Sequence, residues 1–196
     1  MIKTIDFYFD LISPYSYLAH KKIKLIKEEK NINFSYKPIL VGGLHNLQGI
    51  TAPAFIKPKL KHMVSDCNLI AKKNNFLFMW NSKFPINTLT VMRGYLFVND
   101  DVKSLYLNTM FEAYWKDNLD ISNQGIFKTL LKKCKIESTS FFDGIKKATI
   151  KDELKSVTQK AHDNEIFGVP TFVVNNKIFW GQDRLEFALD EYNKID

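Results

Sequence analysis

The chain has 196 residues, 45% hydrophobic and 14% aromatic, enough apolar material for one sizeable core with an inserted subdomain, and this excludes disorder over most of its length. The net charge of +7 comes from lysines scattered as Lys21-Lys22, Lys72-Lys73, Lys132-Lys133 and Lys146-Lys147 without a basic-aromatic motif, so nucleic acid is not the expected partner, while anionic small molecules are. Cys67 and Cys134 lie far apart with no CxxC or Cys/His cluster, and His45 and His62 form no metal spacing; the cysteines read as unpaired thiols in a reducing compartment, and no metal is expected.

The N-terminal segment carries Asp6 and Asp10 among its apolar residues, unlike a signal peptide, and no apolar run approaches the roughly 20 residues of a membrane helix. A cytoplasmic protein without membrane contact is therefore expected. In residues 2–10, Ile5, Phe7 and Phe9 alternate with Asp6, Tyr8 and Asp10, the period of a half-buried strand. Ser13-Pro14 then supplies an N-cap and a proline at the first helical position, and a helix is predicted over the following YSYLAHKKIKLIKEEK. INFSYKPIL alternates again, with Pro38 restricting it to a terminal or edge position.

From Val41 to Asn164 the β signal nearly vanishes, and helical patterns such as PAFIKPKLKHMVSDCNLIAKK, NTLTVMRGYLFV, SLYLNTMFEAYWK and KDELKSVTQKAHDNE succeed one another. PTFVVNNKIFW reads as a hairpin turning at Asn175-Asn176, and RLEFALDEYNKI as a closing helix capped by Asp183. The order β-α-β, helices, α-β-β-α predicts an α/β, thioredoxin-like fold with a large all-helical insertion, as in DsbA-like proteins. Residues 1–40 and 165–196 are expected to form the thioredoxin-like domain, and 41–164 the helical insertion, including helices that pack on the core.

Such a fold carries its reactive residue at the start of the first helix, where free N–H groups and the helix dipole stabilise a thiolate. Here that position is Ser13, followed by Pro14, Tyr15 and Ser16. Hydroxyls form no disulfide, but one can cap a helix through its oxygen and direct its proton at another molecule's sulfur. Val169-Pro170, at the start of a late strand, is the place for a cis-proline facing that helix, which would leave the Val169 backbone free to pair with an extended peptide.

FYFDLISPYSYLA at 7–19, FPINTL at 84–89 with Arg93, AYW at 113–115, LDIS at 119–122 and FGVPTFVVNNKIFWGQDRL at 167–185 together resemble the 2-hydroxychromene-2-carboxylate isomerases and kappa-class glutathione transferases. The resemblance spans nearly the whole chain. It implies glutathione as cofactor, with its sulfur at Ser13, a carboxylate at Lys59, its cysteinyl backbone on Val169 beside Pro170, and its γ-glutamyl end at Gln182 and Asp183. Asn87, Trp115 and Trp180, with Phe84 and Phe9, are expected to line a cleft for the second substrate, an aromatic carboxylate or other electrophile.

The implied activity is a glutathione-dependent isomerisation in which the thiolate adds reversibly; the alternatives are a kappa-like transferase or peroxidase and a non-catalytic glutathione- or peptide-binding protein. A homodimer is implied as well. The chain departs from the family pattern in Gly49-Ile50-Thr51-Ala52-Pro53, where Gly-Asn-x-Pro-Pro is frequent, and in His62, where tyrosine is usual.

Overall fold

The apolar alternation of Ile5, Phe7 and Phe9 forms β1 (Ile5–Phe9) in the computed structural model, which describes residues 3–29 and 32–194. Ile2, Lys30 and Ile195, at the ends of predicted elements, lie outside the described residues. Ser13 and Pro14 open α1 (Pro14–Glu29), after which the chain returns as β2 (Phe34–Pro38), parallel to β1 with Phe7 opposite Tyr36. Pro38 ends that strand, and the strand lies at the sheet edge, where a residue lacking an N–H removes no ladder bond.

The late hairpin is β3 (Thr171–Val174) and β4 (Lys177–Trp180). Asn175 and Asn176 turn it with φ of 50° and 59°, left-handed values that asparagine tolerates better than most residues. β3 pairs antiparallel with β1, Phe7 opposite Phe172, and the sheet order is β2-β1-β3-β4.

Between the two halves of the sheet run α2 (Val41–Gln48), a 3-10 turn at Pro53–Phe55, α3 (Lys57–Lys73), α4 (Leu89–Phe97), α5 (Asp100–Trp115), α6 (Gln124–Lys133), α7 (Ser138–Gly144) and α8 (Ala148–Asp163). The architecture has the expected order, a mixed sheet with helices inserted before its final hairpin.

On one sheet face Phe7 stacks against Phe9 and Phe172 at ring separations of 5.5 and 5.3 Å, beneath Tyr17 and Leu18 of α1 and Phe111 of α5. The other face differs from the sequence expectation. Tyr8 and Asp10 are buried, because β1 is central and α2 and α8 cover it, Tyr8 clustering with Ile39, Leu44, Ala161 and Ile166. Alternation distinguishes two faces but not whether a second layer covers the polar one.

Among the inserted helices, α4 approaches its neighbours at Gly94, where a Cβ would lie 2.1 Å from the Tyr106 hydroxyl and 2.5 Å from the Phe141 ring. Only glycine fits that crossing. At the C-terminus a 3-10 turn (Gln182–Arg184) precedes α9 (Leu185–Asn193). Asp183 therefore lies inside the turn and does not cap α9; its carboxylate instead pairs with the Arg184 guanidinium at 3.0 Å.

Candidate active site

The turn from β1 into α1 brings Ser13 opposite the start of β3. Its Oγ accepts the Ser16 N–H at 3.1 Å, capping the helix as its sequence position suggested, and donates to the Val169 carbonyl at 3.2 Å. The Val169-Pro170 peptide is cis. The Val169 carbonyl is thus engaged by Ser13 in this structure, whereas the sequence reading expected it to be free.

Around this contact opens a cleft of about 880 Å³. Ser13, Lys59, Asn87, Val169 and Trp180 line it, as does Phe84, so six residues singled out from the sequence meet there. Phe167 and Trp180, their rings 4.9 Å apart, form one rim. Trp180 packs so closely on Gly168 that a Cβ there would meet the indole Nε1 at 2.8 Å, which explains a glycine immediately before the cis-proline strand. The opposite walls come from Phe55, Lys59 and Met63 around the start of α3, and from Phe84 to Asn87, whose Phe84-Pro85 peptide is also cis.

Several expected residues lie elsewhere. Trp115 is fully buried and donates its Nε1 proton to the Leu11 carbonyl at 2.7 Å; it supports the turn ahead of Ser13 from inside the core and does not line the cleft. Phe84 stands between, one side on the cleft and its ring 5.8 Å from that of Trp115. Phe9 is likewise a core residue. Pro170 is buried behind the cleft, its carbonyl accepting the Gly181 N–H at 2.9 Å.

Gln182 and Asp183 follow β4 just past Trp180 and outside the cleft lining. The Gln182 Oε1 accepts from Lys22 of α1 at 2.8 Å, and Asp183 is exposed. Asn87 Oδ1 accepts the Leu89 N–H at 2.8 Å, steadying the entry to α4. Of the two departures from the family pattern, Ile50 lines the cleft, while His62 is an exposed residue of α3 outside it.

Sequence reasoning missed Asp10 and His45. Asp10 is buried at the cleft floor and accepts hydrogen bonds from the Thr88 hydroxyl at 2.7 Å, the Val41 N–H at 2.9 Å and the Ile12 N–H at 3.2 Å. Burial pushes its carboxyl above the ordinary range, and these donors oppose the shift. One carboxylate thus ties together the starts of α2 and α4 and the turn carrying Ser13; the signal available in the sequence was an acid immediately after a strand and ahead of Ser-Pro. His45 of α2 also faces the cleft, with burial lowering the pKa of its ring.

Among the described residues lining the cleft, Lys59 supplies the positive side chain and Asp10 the negative one; the remaining walls are mostly apolar or glycine. Cys67 and Cys134 are buried free thiols outside it, and burial pushes Cys67 up to about 12. The described residues contain no group of three or more His, Cys, Asp or Glu able to hold a metal, and no helix long and apolar enough to cross a membrane.

A serine-capped helix facing a cis-proline strand, in a sheet interrupted by helices, defines a class: residues 4–193 match the DSBA-like thioredoxin domain, and the chain belongs to that family. Within it, the chain is similar to 2-hydroxychromene-2-carboxylate isomerase of Sphingobium xenophagum, 26% identical over 194 residues covering 98% of each chain. It is also similar to glutathione S-transferase kappa 1 of Caenorhabditis elegans, 28% identical over 207 residues covering 95% of this chain and 89% of that one. The solved structure of a 2-hydroxychromene-2-carboxylate isomerase superposes with a TM-score of 0.89 at 20% identity, covering 98% of this chain and 95% of that one.

Proposed function

We propose that the protein is a glutathione-dependent isomerase of the 2-hydroxychromene-2-carboxylate isomerase type. The observation that carries this reading is the Ser13 hydroxyl, bonded to the Val169 carbonyl beside the cis-proline at the floor of a large apolar cleft. When bound, glutathione supplies a thiolate that adds reversibly to an electrophilic carbon. The residues present suit such a tripeptide: a peptide edge at Val169, a hydroxyl at a helix N-terminus, and a cation at Lys59.

In this reading the Val169 carbonyl exchanges its Ser13 donor for a backbone N–H of the ligand. That exchange releases the single Ser13 proton towards the sulfur while its oxygen continues to cap α1. The N-terminus of α1 adds its dipole to the same charge. Trp180, Phe167, Phe84 and Phe55 exclude water from the electrophile and hold it against the sulfur, and positioning of this kind is worth up to about 7–11 kcal/mol in favourable systems. Gln182 and Asp183, beyond Trp180, would take the γ-glutamyl end, the Asp183 carboxylate, which pairs with Arg184 in this structure, supplying the charge opposite to its ammonium. We place the enzyme in the cytoplasm, as a homodimer of the kind its family resemblance implies.

The similarity to a kappa-class transferase supports a second reading with the same binding residues, in which glutathione is consumed. Calorimetry with glutathione, followed by assays with a hydroxychromene carboxylate and a chlorodinitrobenzene-type electrophile, separates the two. Isomerisation with glutathione recovered intact supports the first reading, and stoichiometric loss of glutathione the second. Binding without either turnover would reduce the protein to a glutathione-binding module, and absence of binding would remove all three.

A further inference from the structure

His45 lies nine-tenths buried on α2 in the wall of the cleft, yet its Nδ1 has no hydrogen-bond partner among the described residues. Nδ1 is itself sealed from the cleft, and a buried nitrogen without a partner is best left unprotonated, so the ring proton belongs on Nε2, the nitrogen through which a cleft ligand would meet the ring. Three other polar side chains in the lining are already engaged. Thr88 donates to Asp10, Tyr15 donates to Asp66 at 2.7 Å, and Asn87 accepts from Leu89.

α2 is open about one turn before His45. A Cβ at Gly42 would touch nothing within 4 Å, and Gly42, Gly43, Ile50 and Ala52 bring no hydrogen-bonding side chain to that wall. With its pKa lowered by burial, the ring is an uncharged imidazole offering one N–H donor and one bare nitrogen. Such a group recognises an uncharged oxygen, whereas a carboxylate is better met by the cation at Lys59.

We infer that His45 is a specificity-determining residue for the second substrate, hydrogen-bonding an uncharged carbonyl or hydroxyl oxygen on an aromatic molecule held in the cleft. This deepens the function proposed above and rests on it for the electrophile in the cleft and for the sulfur that adds to it. For an unsaturated ketone, formation of the carbon–sulfur bond would move the π pair to the carbonyl oxygen. His45 N–H would bond that oxygen, and the pair would return as the sulfur leaves.

The test needs no glutathione. Benzylacetone, an aryl ketone, and butylbenzene, a hydrocarbon of similar shape, are titrated by NMR into wild type, His45→Leu and His45→Gln. Wild type is expected to bind the ketone about 2- to 10-fold tighter than the hydrocarbon, the range of one net neutral hydrogen bond, with the His45 ring nitrogens shifting only for the ketone. His45→Leu abolishes the preference and His45→Gln retains it. Equal affinities in wild type, no measurable binding of either probe, or a preference unchanged in His45→Leu overturns the inference. Loss of glutathione binding by wild type would instead remove the proposed function while leaving this measurement intact.

Discussion

Replacing Ser13 by alanine deletes one oxygen that makes two hydrogen bonds, and the two losses are measured by different assays. Loss of the bond from the Ser16 N–H, 3.1 Å long, uncaps α1 and costs about 1 kcal/mol, which lowers the Tm of a chain this size by about 2–4 °C. The proton now 3.2 Å from the Val169 carbonyl is the one that would serve the sulfur of bound glutathione. A hydrogen bond to a charged group contributes about 1.5–3 kcal/mol, equivalent to roughly 1–2 pKa units. The bound thiol in Ser13→Ala should therefore titrate about 1–2 units higher than in wild type, as read from the ultraviolet absorbance of the thiolate. At a pH below both values the thiolate fraction should fall about 10- to 100-fold, and turnover about 3- to 13-fold once the greater nucleophilicity of the more basic thiolate, with β near about 0.45, is included. Ser13→Thr, which keeps a hydroxyl, should stay near wild type. A variant that melts lower and binds glutathione, yet leaves the thiol pKa where it was, would reduce Ser13 to a helix cap and refute the mechanism.

Two further outcomes follow from the core. His20, buried and stacked on Phe111 at 5.2 Å, has its pKa pushed down to about 3, mainly by burial, while the unfolded chain titrates near about 6.5. Because the unfolded state takes up the proton first, the stability associated with neutral His20 is fully present above about pH 6.5 and lost as pH falls towards 3. His20→Phe should flatten that part of a denaturant-midpoint profile, and an unaltered slope would assign the titration to other groups. Trp115→Phe strands the buried Leu11 carbonyl, whose 2.7 Å bond it removes, at a cost of about 1–3 kcal/mol, and should leave the KM for the electrophile nearly unchanged. A raised KM without destabilisation, measured by calorimetric melting and steady-state kinetics, would mean that the indole reaches the substrate after all.

What could be read along the chain was local. Ser13-Pro14 starts a helix because a hydroxyl caps and proline lacks only an N–H that has no helical partner there; Asn175-Asn176 turns a hairpin because asparagine accepts positive φ; Pro38 ends an edge strand because it cannot donate. The cis state of Val169-Pro170 agreed with the expectation built on the thioredoxin-like order of elements.

The orientation of each side chain was a different matter. Trp115 and Trp180 look alike as aromatic residues in apolar stretches, yet one is sealed in the core and the other stands on the cleft rim at 53% exposure. Asp10 read as the solvent side of a strand until Thr88, 78 residues away, met it, and His45 had no role until α2 closed one wall of the cavity. The Ser13–Val169 contact spans 156 residues. Backbone preferences act over a few neighbours and are therefore written locally, whereas a cavity is the space left between segments distant in sequence. Its lining, and the polar atoms that packing leaves unpaired within it, arise only when the whole chain has folded.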